Sequence, residues 1–213
     1  MKRNIVLTLT LISLLQAYSQ KVKQTNSDDF TPGWYAGINS GINLYIAEGN
    51  EFWNSHEGYI FSLKENGGFA GQAVMGYDLT PLWGFRGAIG FFQHRWPDIL
   101  INKVIPFKAE NLTGDVTLNL SNWWWRYNSN RVANLSVFGG LGLAHREKAS
   151  FPNDMYAVVV RGGIQGDFRL TSTVDINLIA EGNFIDDNYN NYVTHNPFEM
   201  YAIFMLGVTY HWR

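Results

Sequence analysis

Cysteine is absent from the chain. That excludes a disulfide framework, a thiolate metal site, a catalytic thiol and a lipid anchor attached through an N-terminal cysteine. Charge is also scarce. Asp, Glu, Lys and Arg make up 16% of the 213 residues, against roughly 25% in an ordinary globular domain. No segment approaches 18 consecutive apolar residues and the mean hydropathy is −0.15, so a bundle of membrane-spanning helices is excluded. There is no excess of base over acid, with 16 Lys and Arg against 18 Asp and Glu. Nothing therefore suggests nucleic-acid binding.

What remains is rich in glycine (21 residues) and aromatics (15%), a composition that suits strands better than helices. The N-terminus reads as an export signal: Lys2 and Arg3, then the apolar run "IVLTLTLISLL", then Ala17-Tyr18-Ser19 with small residues where a signal peptidase reads. The expected division is a signal peptide over 1–19, a polar periplasmic leader over 20–32 and one β-barrel domain over 33–213. Removing Lys2 and Arg3 from the 16 basic residues leaves 14 against 18 acidic ones, a net charge of −4.

The mature chain repeats one pattern. In "NLTGDVTLNL", Leu112, Gly114, Val116 and Leu118 alternate with Asn111, Thr113, Asp115 and Thr117, the period of a strand with two unlike faces. In "GWYAGINSGINLYI", Trp34, Ala36, Ile38 and Ile42 alternate with Tyr35, Gly37, Asn39 and Asn43. Comparable stretches begin near Gly67, Trp83, Asn134, Tyr156, Val174 and Met200. About eight such segments, separated by turns, are the signature of an all-β, antiparallel up-and-down transmembrane β-barrel. The apolar faces would meet lipid, with Leu118 expected near mid-membrane, and the Gly- and Asn-rich faces would line the interior. Connections alternate in length: "TP" and "TST" are short, whereas "EGNEFWNSHEGYIFSLKEN", "RWPDILINKVIPF" and "DDNYNNYVTHNP" are long. Short periplasmic turns and long external loops are the rule in such barrels.

That topology puts six of the eight tryptophans at the periplasmic strand ends: Trp34, Trp83, Trp123, Trp124, Trp125 and Trp212. With Tyr77, Phe168 and Tyr210 they form an expected aromatic girdle, because an indole is stable where one side is apolar and the other wet. The inward-facing charges are Asp78, Arg86, Asp115, Arg161, Asp167, Arg169, Asp175 and Glu181. Diagonal neighbours in such a sheet lie within reach of long side chains. The expected contacts are Arg86 with Asp78, Arg161 with Glu181, and Arg169 with Asp175, because a buried charge needs a partner.

The stretches "GWYAGINSGINLY", "NLTGDVTLNLSN…YNSNRVANLSVFGGLGLA" and "FMLGVTYHW" resemble the OmpA/OmpX-type eight-stranded outer-membrane barrels, in a Bacteroidetes-like form lacking the peptidoglycan-binding domain. The resemblance covers the mature chain. It implies residence in the cell outer membrane, a structural or surface-contact role, and interior ion pairs that plug the lumen. Implied partners are outer-membrane lipid and lipopolysaccharide, and the assembly machinery that reads the final strand, where Trp212 is followed by Arg213 instead of ending the chain. Glu48, Glu51, Trp53, Asp186, Asp187, Tyr189 and Tyr192 in the external loops would serve as an adhesin, as a docking surface for a protein partner, or as a passive hydrated cap held against lipopolysaccharide.

Two other functions are open to a barrel of this size. Barrels of this size that modify lipid A use a serine with a nearby histidine and an acid. Neither the Asp-Ser pair of the palmitoyltransferase type nor the His and Ser two apart of the deacylase type occurs here. His56, His94, His145, His195 and His211 are scattered without metal-ligand spacing, so no catalytic residue, metal or cofactor is expected. A soluble lipocalin-like binding barrel would not gather tryptophans at one end. The export reading is checked by N-terminal sequencing of envelope-purified protein. It should begin at Gln20 or within a few residues, and a mature chain that retains Met1 contradicts it.

Overall fold

The computed structural model describes residues 30–46, 67–98, 103–148, 153–186, 189 and 198–212. The proposed signal peptide, most of the leader and Arg213 lie outside these residues. Eight strands follow in order: β1 Gly33–Ile46, β2 Gly67–Asp78, β3 Trp83–Asp98, β4 Lys103–Asn119, β5 Ala133–Arg146, β6 Met155–Arg169, β7 Val174–Asp186 and β8 Phe198–His211. Each pairs antiparallel with the next, and β1 pairs with β8 from Tyr35↔His211 to Ile46↔Met200, so the sheet closes. A closed sheet leaves no edge of unpaired backbone groups, the condition for strands in hydrocarbon.

The period of two separates the faces. Ile38 is 72% exposed and Leu141 67%, whereas Asn43, Asn183 and His94 are fully buried. Phe69, Phe85, Phe91, Leu112, Val160, Leu178, Phe204 and Leu206 are also exposed, so the apolar exterior runs round the barrel. Patches on water-soluble monomers rarely exceed a few hundred Å². This surface is built for an apolar solvent.

The two short turns share one device. In the first, the amides of Leu82 and Trp83 donate to Thr80 Oγ1 at 3.2 and 2.9 Å, and Leu79 and Thr80 donate to the Trp83 carbonyl. In the second, the amides of Thr173 and Val174 donate to Thr171 Oγ1 at 3.2 and 3.0 Å, and Leu170 and Thr171 donate to the Val174 carbonyl. A threonine hydroxyl satisfies the amides that the reversing backbone leaves unpaired. The turns fix the registers Asp78↔Gly84 and Arg169↔Asp175.

Two connections depart from the sequence reading. "RWPDILINKVIPF" is mostly strand, not loop. β3 runs to Asp98 and β4 starts at Lys103, with pairs continuing to Asp98↔Lys103. The described pairing of β3 with β2 ends at Ala70↔Phe92, and that of β4 with β5 at Ala109↔Arg146. Beyond those points the two strands pair with each other. Proline is tolerated where a strand lacks a second neighbour, so the two strands run on through Pro97 and Pro106.

The second departure is the tryptophan run. Leu120–Trp125 is a short helix, α1, and not a strand end with a polar turn. Asn119 caps it, its side-chain oxygen accepting from the Asn122 amide at 2.8 Å. Ser121 Oγ accepts from the Leu135 amide at 2.8 Å, and Asn122 Nδ2 donates to the Pro81 carbonyl at 2.7 Å. These bonds tie the helix to β5 and to the β2–β3 turn. Arg126 ends it at φ 62°, a backbone region that non-glycine residues occupy at a cost of about 1–3 kcal/mol. Arg131 Nη2 donates to the Arg126 carbonyl at 2.7 Å and helps hold it there.

Leu118 is a third correction. It pairs with Trp83 and Val137 and is only partly exposed, at the turn end and not at the middle of the apolar belt. The middle is better represented by Leu141, paired with Gly114 and Val160. An arginine on the lipid face near the midplane costs about 2–4 kcal/mol. Leu141→Arg should therefore weaken folding into bilayers by about that much, and Leu141→Phe should change it little. Urea titrations of the two variants in vesicles check this, and equal folding free energies would contradict the assigned face.

Candidate functional site in the barrel interior

The interior is layered from the loop end to the turn end. At the loop end lies an aromatic layer. Tyr45 of β1, Phe92 and His94 of β3, Phe107 of β4 and Tyr201 of β8 are all buried and in mutual contact. Ring centroids around His94 stand at 4.9 Å for Tyr45, 5.8 Å for Phe92, 5.1 Å for Phe107 and 4.9 Å for Tyr201. Val159, Ile179, Ile185, Ile203 and Met205 complete the packing. The Tyr45 hydroxyl donates to Glu199.

Tyr189, expected on an external surface, instead turns inward. It is 1% exposed, its hydroxyl donates to the His145 carbonyl at 3.1 Å, and its ring meets Phe107. A tyrosine that can reach one backbone acceptor gains more by burying its ring than by standing in water. Asp186 is the last residue of β7 and is exposed. Glu48, Glu51, Trp53, Asp187 and Tyr192 lie outside the described residues.

The middle layer is ionic. Register places Arg86 directly opposite Asp115 and sets Arg161 diagonal to Glu181. Arg86 Nε donates to Asp115 Oδ2 at 2.9 Å. Arg161 grips the same carboxylate with two donors, Nε to Oδ1 at 2.8 Å and Nη2 to Oδ2 at 2.5 Å. Arg161 Nη1 lies 3.4 Å from Glu181 Oε1. Two guanidinium groups thus meet two carboxylates and the cluster is neutral, the condition under which charges survive burial. The Phe138 ring lies 4.0 Å from the Arg86 guanidinium carbon and 5.7 Å from that of Arg161, adding a cation–π contact.

Amides extend the cluster on both sides. Arg86 Nη1 donates to Gln165 Oε1 at 2.8 Å, and Gln165 Nε2 donates to Asp167 Oδ1 at 2.7 Å. On the other side Asn183 Nδ2 donates to Glu181 at 2.9 Å, Gln72 Nε2 to Glu181 at 3.5 Å, and Asn39 Nδ2 to Gln72 at 3.3 Å. Glycines make the room. A Cβ on Gly140 would sit 2.4 Å from Asp115 Oδ1, and one on Gly163 would sit 2.5 Å from the Phe138 ring.

At the turn end the interior opens into a cavity of about 320 Å³. Tyr35, Asp78, Asp167, Arg169, Asp175 and His211 line it, with α1 and the Tyr127–Ser129 segment at its mouth. His211 Nε2 lies 3.1 Å from Asp175 Oδ2, and the His211 ring meets that of Tyr35 at 5.6 Å.

Three contacts were expected, and one forms, between Arg161 and Glu181. Arg86 turns from Asp78 to Asp115, which lies directly across the strand pair and is held from its far side by Arg161. Arg169 faces Asp175 in register, yet its Nη1 donates to the Ser129 carbonyl while Asp175 takes His211. The cause is the β4–β5 connection, which crosses the turn end and brings a carbonyl within reach of Arg169. Charge alone does not single out the inward amides or the rings around His94. Their inward positions were nevertheless legible from the alternation.

The aromatic residues do gather at the turn end. Trp34 packs on Tyr77 at 5.0 Å, Tyr210 on Trp212 at 5.6 Å, and Trp124 on Trp125 at 5.7 Å. Trp123, Trp124, Trp125 and Phe168 are exposed, and Trp83 is half-buried.

No family model matches the chain, and no curated protein matches it. Solved structures share its fold. Neisserial surface protein A aligns with a TM-score of 0.55 at 13% identity, covering 85% of this chain and 99% of that one. The outer membrane protein OprG from Pseudomonas aeruginosa aligns at 0.51 and 10% identity, covering 85% and 96%.

The ionic layer gives a direct test. Asp115 contacts both guanidinium groups, so Asp115→Asn leaves them one carboxylate between them. Breaking a buried pair in this way costs about 3–5 kcal/mol. Asp78→Asn, outside the cluster, should stay within about 1 kcal/mol. Denaturant unfolding of both variants in bilayers measures the difference, and equal effects would contradict the assigned partners.

Proposed function

From the fold of the eight-stranded outer-membrane β-barrels, we infer that the chain is a small integral protein of the bacterial outer membrane. Its lumen is plugged and its role is structural or surface contact. The observation that carries this reading is the inversion of the barrel: apolar side chains face out on every strand, and charges and amides face in. That arrangement is stable in lipid and costly in water, which weighs against a soluble ligand-binding barrel.

The filling supports the plug. Eight strands enclose about enough space for side chains. Here two successive layers, one aromatic and one ionic, cross that space above the turn-end cavity. Catalysis on lipid finds less support. Among the described residues no serine or threonine hydroxyl is hydrogen-bonded to a histidine ring, the contact that activates such a nucleophile. The partners in this reading are membrane lipid and lipopolysaccharide on the exterior, the assembly machinery at the last strand, and a protein or surface contact through the external loops.

Planar-bilayer recordings of the pure protein at neutral pH test the plug. Wild type should show no sustained conductance, and Arg161→Ala should admit brief, small events or unfold more readily. Sustained porin-sized conductance from wild type would make transport the leading function.

A further inference from the structure

One buried group in the aromatic layer has a use that the plug alone does not require. His94 is fully buried, and its hydrogen bonding fixes its tautomer. Asn43 Nδ2 donates to the backbone carbonyls of Phe69 and Gln93 at 2.7 and 3.0 Å. The Asn43 amide is therefore oriented, and its Oδ1 is left as an acceptor. His94 Nδ1 lies 2.9 Å from that oxygen, so Nδ1 carries the proton and donates. The lone pair is then on Nε2, and Nε2 has no hydrogen-bond partner among the described residues. A second proton would create an N–H with no acceptor and a charge enclosed by carbon.

We propose that His94 is a proton-operated latch on the lumen plug: neutral, it completes the aromatic layer, and protonated at Nε2, it must leave the cage for water, which loosens the layer and admits water to the ion pairs beneath it, weakening them in turn. The proposal rests on the plugged-lumen reading.

The surroundings of His94 favour this. On β1 the titratable neighbour is Tyr45, whose hydroxyl is bonded to Glu199 of β8. On β8 it is Tyr201, whose hydroxyl accepts from Asn111. Among the described residues, β3 and β4 set the rings of Phe92 and Phe107 against it. Behind Phe107 stands Tyr189, bonded to the His145 carbonyl. Glu181 is engaged by Arg161, Asn183 and Gln72. The carboxylates near the cage thus have partners of their own in the closed layer, and none contacts the imidazole. The four rings offer a charged imidazole some cation–π attraction, but they accept no hydrogen bond of ordinary strength at Nε2. The proton comes from the aqueous phase and binds that nitrogen only when the layer opens.

Linkage sets the size of the effect. The closed layer excludes the extra proton and the opened layer accepts it with an ordinary imidazole affinity, near pH 6.5. Below that pH the ratio of open to closed layers should rise about tenfold per pH unit until the closed form can also be protonated. Stability of the plug is therefore full at neutral pH and is lost as pH falls.

The experiment is single-channel recording of wild type, His94→Gln and His94→Phe in planar bilayers between pH 7 and pH 4.5. Glutamine can still donate to Asn43 but does not titrate, and phenylalanine fills the cage without titrating. All three should be closed at pH 7. The frequency of opening in wild type should climb steeply with acid, whereas both variants should lose at least about a factor of ten of that rise. An acid response retained in both variants overturns the latch, and so does a wild type that stays closed at every pH. Sustained conductance of wild type at pH 7 overturns instead the plug on which the latch rests.

Discussion

Backbone hydrogen bonding without water is the constraint on which the rest of this structure depends. A strand in hydrocarbon must find partners for every amide and carbonyl within the sheet. The chain meets that demand by pairing β8 with β1. Closure then dictates the period of two, because each strand has one face toward the surroundings and one toward the axis. The scarcity of charge in the composition and the strongly apolar exterior follow from that geometry. So does the use of threonine hydroxyls to finish the short turns, where the ladder stops.

Closure creates a second demand, since the enclosed volume must be filled without stranding polar groups. Three solutions are used along the axis. Near the loops, rings and aliphatic side chains pack together around one imidazole. In the middle, two arginines and two acids cancel and are joined by amides. At the turn end the filling stops, and a polar cavity remains. Glycine makes the middle layer possible. Gly140 faces Asp115, and Gly163 faces Phe138, so the largest inward groups sit opposite the smallest. The sequence signature of the barrel, glycine alternating with aliphatic residues, is thus also the record of how its interior packs.

Much of this was legible in the sequence, and the failures have identifiable causes. The strand faces follow from period alone, and Leu112, Leu141, Phe204 and Leu206 stand outward as read. The tryptophan run was misread because three identical residues carry no period. Its signal was the capping residue Asn119, three positions before Asn122. The hairpin of β3 and β4 runs further than its alternation showed, through Pro97 and Pro106. They fall where each strand has a single described neighbour, and there a missing amide costs little. Among the inward charges, Arg161 and Glu181 met as expected on the diagonal, although Arg161 holds Asp115 more closely. Arg86 and Arg169 found partners supplied by other elements, β4 and the β4–β5 connection. The β3–β4 register sets Asp115 directly opposite Arg86, nearer than the diagonal Asp78, whereas the Ser129 carbonyl comes from outside any strand pair.

The central claim is that one face of every strand meets lipid while the other faces the interior, packed everywhere above the turn-end cavity. The absence of cysteine makes it directly measurable, since single cysteines can be placed and spin-labelled without background. Along β4, labels at Leu112, Gly114 and Val116 should be relaxed by oxygen dissolved in the bilayer and little affected by a water-soluble nickel complex. A label at Thr113, between them, should respond weakly to both. A two-residue oscillation in oxygen accessibility is the result this account requires. A nickel response at Leu112 and Val116 equal to that of an exposed loop, or a profile with no period, would contradict it.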